Sequence, residues 1–347
     1  MDSQIQVQEP LLSIVAIGRN EARNIEKLST SISSLTNKLR PYTQTIFVDS
    51  ASTDDTYKLA TESFDEVYIL EESPWLCAAA GRALGTLKAR GKWILYLDGD
   101  TELCREFADI AEELLNRDEN ISGYIGRSIY IFPDGTSRQN TFGCQKEGDM
   151  ASEISGQGLL LRREDVLKAG NWDPSVFSNE EMELYSRLPR GECSIRYLDV
   201  PLVLHHTPRF DRLHTLLRLL HPSFGLGKKW YGLGQVLAAR MRTHRLYSFV
   251  KLEPYPFVYW GGLFLGSACA LAGSLMVGAS VVMGTLTFIL VKRGWKSLVI
   301  HCTQILPALV GWTKYNPEYS PKVLTTFRRP ASNPSIPGIA FHEPTRL

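Results

Sequence analysis

Short apolar runs separated by amphipathic helices constrain the first 115 residues more than any other feature of this sequence. Four runs have the length and composition of buried strands, at Leu11–Ile17, Thr45–Val48, Glu66–Leu70 and Trp93–Leu97. The segments between them predict helices, at Glu21–Leu39, Thr53–Ser63 and Ala78–Ala89. Strands that alternate with helices predict right-handed βαβ units and an α/β domain with a mixed, mostly parallel, Rossmann-like sheet.

Elements of both kinds continue to about residue 205. Predicted strands lie at Tyr124–Phe132, Gly158–Leu161 and Ile195–Val200, and predicted helices at Glu102–Leu115, Arg163–Ala169 and Asn179–Leu188. We expect the α/β domain to occupy residues 1–210.

Polar side chains follow the ends of three predicted parallel strands. Asn20, Asp49 and Asp98 each come just past an apolar run. Because ligands of open α/β sheets bind at the carboxyl ends of the strands, we expect these side chains to share a ligand site.

The triplet Asp98-Gly99-Asp100 directly follows the strand Trp93–Leu97. Glycine permits a tight turn, so both carboxylates can face one point. Hard oxygen ligands suit Mg²⁺ or Mn²⁺, which keep waters and bind substrate phosphates. A solvated turn is the alternative for this triplet. For the loop after Asp49, the alternative is a helix cap by Ser52 or Thr53, and that role can coexist with binding.

Taken in order along the chain, these motifs and several others resemble those of family 2 glycosyltransferases with the GT-A fold. The resemblance covers roughly residues 11–210 and rests on these segments: Ser13–Glu21, Val48–Thr56, Arg82–Gly85, Lys92–Asp100, Ser155–Arg163, Gly170–Asp173, Asn179–Leu184 and His205–His206. An ordered series of matches is more specific than any one motif.

The resemblance implies a role for each matching residue. Asn20, Glu21 and Asp49 would hold the nucleoside of a nucleotide-sugar donor, Arg82 would meet its diphosphate, and Asp98 would lie near the ribose and the metal. Asp100 would ligate the metal, with Asp98 and His206 as further ligands, although His205 is an equal candidate. Either histidine could instead be a structural residue at a strand end.

The same resemblance implies how the acceptor is handled. Glu181 would deprotonate the acceptor hydroxyl, with Glu180 as the alternative base. Gly156, Trp172 and Asp173 would lie on the acceptor side. Members of the family invert the anomeric centre in one displacement.

The sequence departs from the family pattern at three positions. Ala51 stands where glycine is usual, Ala83 where asparagine is usual, and Glu181 where aspartate is usual. The Gln-x-x-Arg-Trp motif of processive members is absent from the sequence, which favours a single transfer over polymer synthesis.

The C-terminal third contains 38 consecutive residues, 254–291, without a charged side chain. A membrane-spanning helix needs about 20 residues, so two helices joined near Gly273–Gly278 are expected, forming a hairpin over residues 256–291. Lys251, Lys292 and Arg293 flank this stretch, which favours a hairpin with both ends on the cytoplasmic side. A buried hairpin in a soluble protein is the alternative.

The neighbouring segments complete the predicted organisation. Residues 211–253 are basic and amphipathic, which is typical of an interfacial segment, although a solvated basic face is the alternative. Within residues 254–315, a third apolar stretch at 297–313 could span the membrane or lie in its plane. The tail, 316–347, is expected to be irregular.

Charge and cysteine content exclude other classes of protein. The net charge of +1 does not suggest a nucleic-acid partner. The six cysteines form no CxxC pair, so a zinc knuckle is not expected, and we expect reduced thiols in a reducing compartment. The N-terminal residues have no apolar run typical of a signal peptide.

The sequence therefore predicts a metal-dependent hexosyltransferase on the cytoplasmic face of a membrane. We expect a nucleotide-sugar donor, with UDP-sugars favoured, and a lipid or lipid-linked acceptor, whose phosphate would suit the basic residues 205–245. Two alternatives are a sugar nucleotidyltransferase and a degenerate transferase fold that serves as a membrane scaffold or partner subunit.

Overall fold

We analysed a computed structural model of the chain. The structure describes residues 10–39, 43–117, 120–141, 146–151, 154–188, 195–207, 226–243, 246–252, 254–294 and 305–329. By internal contacts the chain divides into two units. The first comprises residues 1–175, 187–209 and 318–347, and the second comprises residues 176–186 and 210–317.

One sheet of ten strands forms the centre of the first unit. The strands are β1 (Leu12–Gly18), β2 (Thr43–Asp49), β3 (Glu66–Leu70), β4 (Trp93–Asp98), β5 (Thr101–Leu103), β6 (Gly123–Ile131), β7 (Ser137–Asn140), β8 (Leu159–Arg162), β9 (Ile195–His206) and β10 (Val323–Arg328). Their order is β10-β3-β2-β1-β4-β8-β6-β9-β5, with β7 paired to β6.

The sheet is parallel in one half and mixed in the other. Strands β3, β2, β1 and β4 are parallel neighbours, whereas β8 is antiparallel to both β4 and β6. Strands β10, β5 and β7 also pair in the antiparallel sense, and β6 is parallel to β9. The expectation of a mostly parallel sheet is therefore correct only for the N-terminal half.

In its described residues the first unit has five helices: α1 (Ala22–Leu39), α2 (Thr56–Ser63), α3 (Ala78–Lys88), α4 (Arg105–Asn116) and α5 (Arg163–Lys168). Helix α1 buries residues at helical spacing, including Ile25, Leu28, Ile32 and Leu35. Together with α4, it covers a core that includes Leu12, Ile14 and Leu95 of the sheet.

Three predicted elements of the first unit differ from the structure. Helix α2 begins at Thr56 rather than Thr53, because Asp54 Oδ1 accepts hydrogen bonds from the backbone N–H and the hydroxyl of Thr56. The segment predicted as the start of one helix, at Glu102, is instead strand β5, which pairs with β9. Strand β9 continues past Val200 to His206.

The tail was predicted to be irregular, and this is wrong for Val323–Arg328. These residues form β10, antiparallel to β3. Strand β3 would otherwise be an edge strand with unpaired backbone groups, and β10 satisfies them. Residues 330–347 lie outside the described residues.

The second unit is helical in its described residues. Its helices are α6 (Glu180–Tyr185), α7 (Leu226–Arg242), α8 (Leu246–Leu252), α9 (Pro254–Leu271), α10 (Leu275–Arg293) and α11 (Ile305–Thr313). Helix α6 is shorter than the predicted Asn179–Leu188. Its Glu183 forms a buried ion pair with Arg240 of α7.

The uncharged stretch forms the two helices expected of it, α9 and α10, which turn at residues 272–274. They approach closely at Gly266 and Gly278, since a Cβ added at Gly278 would lie 2.4 Å from the Gly266 carbonyl oxygen. The outer surface of the hairpin is apolar and exposed, and Leu271 and Met276 are 89% and 86% exposed.

Among the described helices, α10 alone has the length and composition of a membrane span, so membrane association is weakly indicated. Much of the predicted interfacial segment, residues 211–225, lies outside the described residues, as do residues 295–304 of the third apolar stretch. Cys77, Cys104 and Cys269 are free thiols, and the other three cysteines are not among the described residues.

Candidate active site

A cleft of about 310 Å³ opens at the carboxyl ends of β1 and β4 in the first unit. We call it the strand-end cleft. Gly18 lines it from the end of β1, Glu21 from the β1–α1 connection, Ser50 from the end of β2, and Asp98 and Asp100 from the end of β4. Of the three side chains expected to share a ligand site, Asp98 lines this cleft, whereas Asn20 and Asp49 are not among its lining residues.

Three carboxylates concentrate negative charge in the strand-end cleft. Burial raises the pKa of Glu21, and the charges of Asp100 and Asp98 raise it further. A hydrogen bond of 2.6 Å from Asn24 Nδ2 to Glu21 Oε2 opposes these effects without cancelling them. Carboxylates that lie close together repel one another, and a bound cation relieves that repulsion.

Arg82 of α3 fixes the position of Asp98. Its guanidinium is 2% exposed, and its NH2 donates a 2.9 Å hydrogen bond to Asp98 Oδ1. The guanidinium carbon lies 5.1 Å from the centre of the Trp172 ring. Gly156 makes room for this side chain, because a Cβ added there would lie 2.0 Å from Arg82 NH2.

Asp49 is 1% exposed at the end of β2. Its Oδ1 accepts a 2.7 Å hydrogen bond from the backbone N–H of Ser52, while Oδ2 has no partner among the described residues. Burial raises the pKa of Asp49 more than the Ser52 hydrogen bonds lower it. The carboxylate thus retains one oxygen that can accept a further hydrogen bond.

The loop after Asp49 is joined to Asn20. The Asn20 backbone N–H donates to Ser52 Oγ over 2.8 Å, and Asn20 Oδ1 accepts a 2.8 Å hydrogen bond from the Thr53 backbone N–H. Ala51 has a φ of 57°, in the left-handed region that favours glycine. The glycine usual in the family motif is thus explained by backbone conformation, and this chain adopts the same conformation with alanine.

The two histidines at the end of β9 contact different carboxylates. His205 Nε2 lies 3.1 Å from Asp100 Oδ2, whereas His206 Nε2 is hydrogen-bonded to Glu102 Oε1. Burial lowers the pKa of His205, but the hydrogen bond to Asp100 and the nearby carboxylates outweigh it, so the pKa is raised. Of the two histidines, His205 is therefore the one that positions the Asp100 side chain.

His206 and Asp100 nevertheless line a common second cleft of about 410 Å³, together with Glu21. In the described part of the chain, no group of three His, Cys, Asp or Glu side chains converges as a metal site. Two carboxylates at a turn suit a cation that completes its coordination with substrate phosphates and water. The donor set at Asp98 and Asp100 fits Mg²⁺ or Mn²⁺ on these grounds.

The residues predicted on the acceptor side have structural contacts in the first unit. Trp172 is 1% exposed, and its ring lies edge-on to Tyr96 with centroids 5.2 Å apart. Asp173 Oδ1 accepts hydrogen bonds from the Ser175 backbone N–H and hydroxyl, at 3.0 and 2.7 Å. Contacts of these residues or of Gly156 with an acceptor stay a prediction.

Glu180 and Glu181, the predicted bases, belong to the second unit. They open helix α6, directly after Asn179, whose φ of 62° is in the left-handed region. Glu180 is 7% exposed, whereas Glu181 is half-buried. Of the two carboxylates, Glu181 is the more accessible.

The contact between His205 and Asp100 could not be predicted from the sequence. It depends on the pairing of Thr101 with His205 between β5 and β9, across more than 100 residues. Strand β5 has three residues, too few for a periodic pattern. The one available signal was the position of the histidine pair after an apolar strand.

Comparison with known proteins agrees with this geometry. Residues 13–153 match the model of glycosyl transferase family 2. These residues include Asn20, Glu21, Asp49, Arg82 and the Asp98-Gly99-Asp100 turn.

Residues 13–153 therefore form a region that is similar to family 2 glycosyltransferase domains. Among similar sequences, the glycosyltransferase AglE of Haloferax volcanii is 23% identical over 259 residues, which cover 71% of this chain and 83% of AglE. An uncharacterized glycosyltransferase of Rickettsia bellii is 29% identical over 120 residues, but the match spans only 37% of that protein.

Among solved structures, the mannosyltransferase PcManGT of Pyrobaculum calidifontis, in complex with GDP-Man and Mn²⁺, superimposes with a TM-score of 0.52. It is 16% identical, and the superposition covers 88% of each chain. At this identity the likeness concerns the fold. The GT-A expectation for this glycosyltransferase is therefore confirmed, as a large mixed sheet with flanking helices.

Proposed function

We propose that this glycosyltransferase transfers one sugar from a nucleotide-sugar donor, with UDP-sugars favoured, to a lipid-linked acceptor, with inversion and with Mg²⁺ or Mn²⁺. The observation that carries the proposal is the gathering of Glu21, Asp98 and Asp100 in the strand-end cleft. A nucleoside diphosphate and a divalent cation have the charges that such a cleft would hold.

The donor would bind across the ends of β1, β2 and β4. A nucleoside N–H or hydroxyl donated to Asp49 Oδ2 would satisfy that acceptor, and Asn20 holds the adjoining loop in shape. Asp98 and Asp100 would hold the cation, which supplies charge neutralisation for the departing diphosphate. Arg82 is ion-paired with Asp98, and in this proposal it would add positive charge near the diphosphate.

Two neighbouring side chains support this binding site. His205 orients Asp100 through the 3.1 Å contact with its Oδ2. Glu21 adds to the negative charge, and its raised pKa would return toward the ordinary value when a cation is bound. His206, predicted as a further ligand, would have to leave Glu102 to reach a cation.

Glu181 is the proposed general base. In a single displacement, the acceptor oxygen bonds to the anomeric carbon as the bond from that carbon to the diphosphate oxygen breaks. The acceptor proton passes to the Glu181 carboxylate. One base and one displacement invert the anomeric centre.

The exposed apolar hairpin α9–α10 supports a membrane-associated acceptor. Lys251 precedes the hairpin, and Lys292 and Arg293 close it, so positive charge flanks both ends. Such a distribution favours anionic headgroups and a cytoplasmic position for these ends. We therefore propose that catalysis takes place at the cytoplasmic face of a membrane.

The test is donor turnover by the full chain. Protein is incubated with UDP-, GDP- and other nucleotide sugars, a lipid extract, and either Mn²⁺, Mg²⁺ or EDTA. We expect release of nucleoside diphosphate that EDTA abolishes and that Asp100→Ala reduces by about a thousandfold, because the leaving group loses its charge partner. Asp109→Ala, which removes an exposed carboxylate paired with Lys38, is the matched control and keeps activity.

Other outcomes would overturn parts of the proposal. Release of pyrophosphate would indicate a nucleotidyltransferase. Turnover that persists in EDTA would contradict the metal dependence. No turnover with any donor would favour a scaffold that has lost catalysis.

A further inference from the structure

The chain returns to the sheet of the first unit after leaving the second. We call Glu318–Arg329 the return segment. It includes β10, which pairs along the whole of β3. Backbone hydrogen bonds continue beyond both ends of β3, from Glu71 N–H to the Lys322 carbonyl and from Arg329 N–H to the Asp65 carbonyl, each 2.8 Å.

The far end of the return segment is anchored by a charged network. Arg328 Nε lies 3.6 Å from Oε2 of Glu66, whose carboxylate is buried. The same carboxylate accepts hydrogen bonds from Tyr68, Gln44 and Arg90. This cluster fixes the register between β10 and β3.

The near end contacts the loop that follows β3, residues 71–77. The rings of Tyr319 and Trp75 have centroids 6.1 Å apart; burial raises the pKa of Tyr319, and the Ser73 side chain opposes that shift. Ser73 Oγ in turn accepts a 3.1 Å hydrogen bond from the Trp75 backbone N–H. Tyr319 therefore contacts this loop through the ring of Trp75.

Loop 71–77 forms one wall of the strand-end cleft. Leu76 and Cys77 line the cleft that also contains Asp98 and Asp100. The loop also carries an ion pair between Glu72 and Arg19 that is exposed at both partners, and Cys77 Sγ donates a hydrogen bond of 3.3 Å to the Pro174 carbonyl oxygen. Exposed ion pairs hold a loop weakly, since solvent screens them and both side chains lose freedom.

We propose that Tyr319 is a positioning residue for the donor: through Trp75 it fixes the wall of the strand-end cleft, so that docking of the return segment sets nucleotide affinity. This inference rests on the proposed donor site. A residue more than 240 positions from Trp75 in sequence thereby becomes part of donor recognition without touching the donor.

The test is a double-mutant cycle on nucleotide affinity. Calorimetry measures the Kd of UDP, and of GDP in parallel, with Mn²⁺ for the wild type, Tyr319→Ala, Trp75→Ala and the double variant. We expect each single variant to raise Kd by about tenfold, since misplacement of a binding wall by about 1 Å has effects of this order or larger. The double variant should resemble the single ones, because the two residues act through one contact.

Two further variants separate positioning from general loss of stability. Tyr319→Phe keeps the ring and should restore most of the affinity. Leu324→Ala truncates a residue of β10 that is 67% exposed, and it should leave Kd unchanged. Asp49→Ala, which alters the proposed nucleoside contact directly, provides the reference loss of binding.

The outcomes distinguish the two proposals. If Asp49→Ala weakens nucleotide binding while Tyr319→Ala does not, the donor site stands and the role of Tyr319 is wrong. If the wild type binds nucleotide but neither Asp49→Ala nor Tyr319→Ala weakens that binding, the proposed donor site is wrong. Additive losses at Tyr319 and Trp75, or an equal loss with Leu324→Ala, would show a general stability effect and overturn the inference.

Discussion

The parallel half of the sheet and the α9–α10 hairpin are both rich in apolar residues, yet they differ in what covers those residues. Strands β1, β2 and β4 are almost entirely buried by their own domain, and their polar groups lie at the strand ends. In the hairpin, most apolar side chains are exposed. Apolar residues thus form a buried core in the first region and an exposed surface in the second.

The same contrast applies to function. In the parallel half, the carboxylates lie at strand ends. Buried partners and the loop that is hydrogen-bonded to Asn20 hold them in position. In the second unit, the proposed base is on a helix of six residues, followed along the chain by helices with an apolar surface. The predictions below test whether the second unit supplies chemistry, whether it binds lipid, and how charge in the first unit affects its stability.

The largest effect is expected at the proposed base. Glu181→Gln should lower kcat by roughly a hundred- to ten-thousandfold, because the acceptor hydroxyl loses its proton acceptor. Glu180→Gln is the matched control on the neighbouring, more buried residue and should retain most of the activity. Initial rates at saturating donor measure both, and a larger loss for Glu180→Gln would reverse the assignment.

An intermediate effect is expected at the hairpin. Replacing Leu271 and Met276 together by lysine should reduce binding to vesicles of phosphatidylethanolamine and phosphatidylglycerol by about a hundredfold, since lysine is costly within the bilayer. Cosedimentation measures the bound fraction.

Leu324→Lys, on an exposed strand position of the first unit, is the control for added charge. Equal vesicle binding by the wild type and the hairpin variant would show that lipid is not the partner of this surface.

The smallest effect concerns pH and stability in the first unit. The pKa of His205 is raised in the folded protein, so its contribution to stability is complete below the unfolded pKa and is lost as pH rises through the folded value. His205→Gln keeps a donor near Asp100 without the titratable charge.

We therefore expect the melting temperature of the wild type, in EDTA, to exceed that of His205→Gln by more at pH 6 than at pH 8.5. Differential scanning calorimetry measures the difference. A gap that widens as pH rises would contradict the charge assignment.

The sequence was sufficient to predict the strands whose burial follows from their own apolar pattern. Strands β1 to β4 were predicted within about two residues, because a strand buried on both faces must be a continuous apolar run. Strand β10 was missed because it is flanked by Pro321 and Pro330 and because most of its residues are exposed. What makes it a strand is the free edge of β3, which is distant in sequence.

The candidate site shows the same division. Asp49, Asp98 and Asp100 could be placed from strand ends alone. The residues that hold these carboxylates in position could not be predicted. The contacts of Arg82 with Trp172 and Gly156, and of Asp100 with His205, join segments separated by 70 to 105 residues. Such contacts depend on sheet order and register, which local patterns do not specify.

The position of β10 in the sheet also determines the order in which the protein can be made. The neighbour of strand β3 at its free edge is synthesised more than 250 residues after β3 itself, and the apolar hairpin comes between them. At 5 to 20 residues per second, roughly, that interval lasts on the order of 13 to 50 seconds. During it β3 is an unprotected edge, and the wall of the strand-end cleft lacks Tyr319. Nucleotide binding can therefore reach full strength only after the return segment has been synthesised.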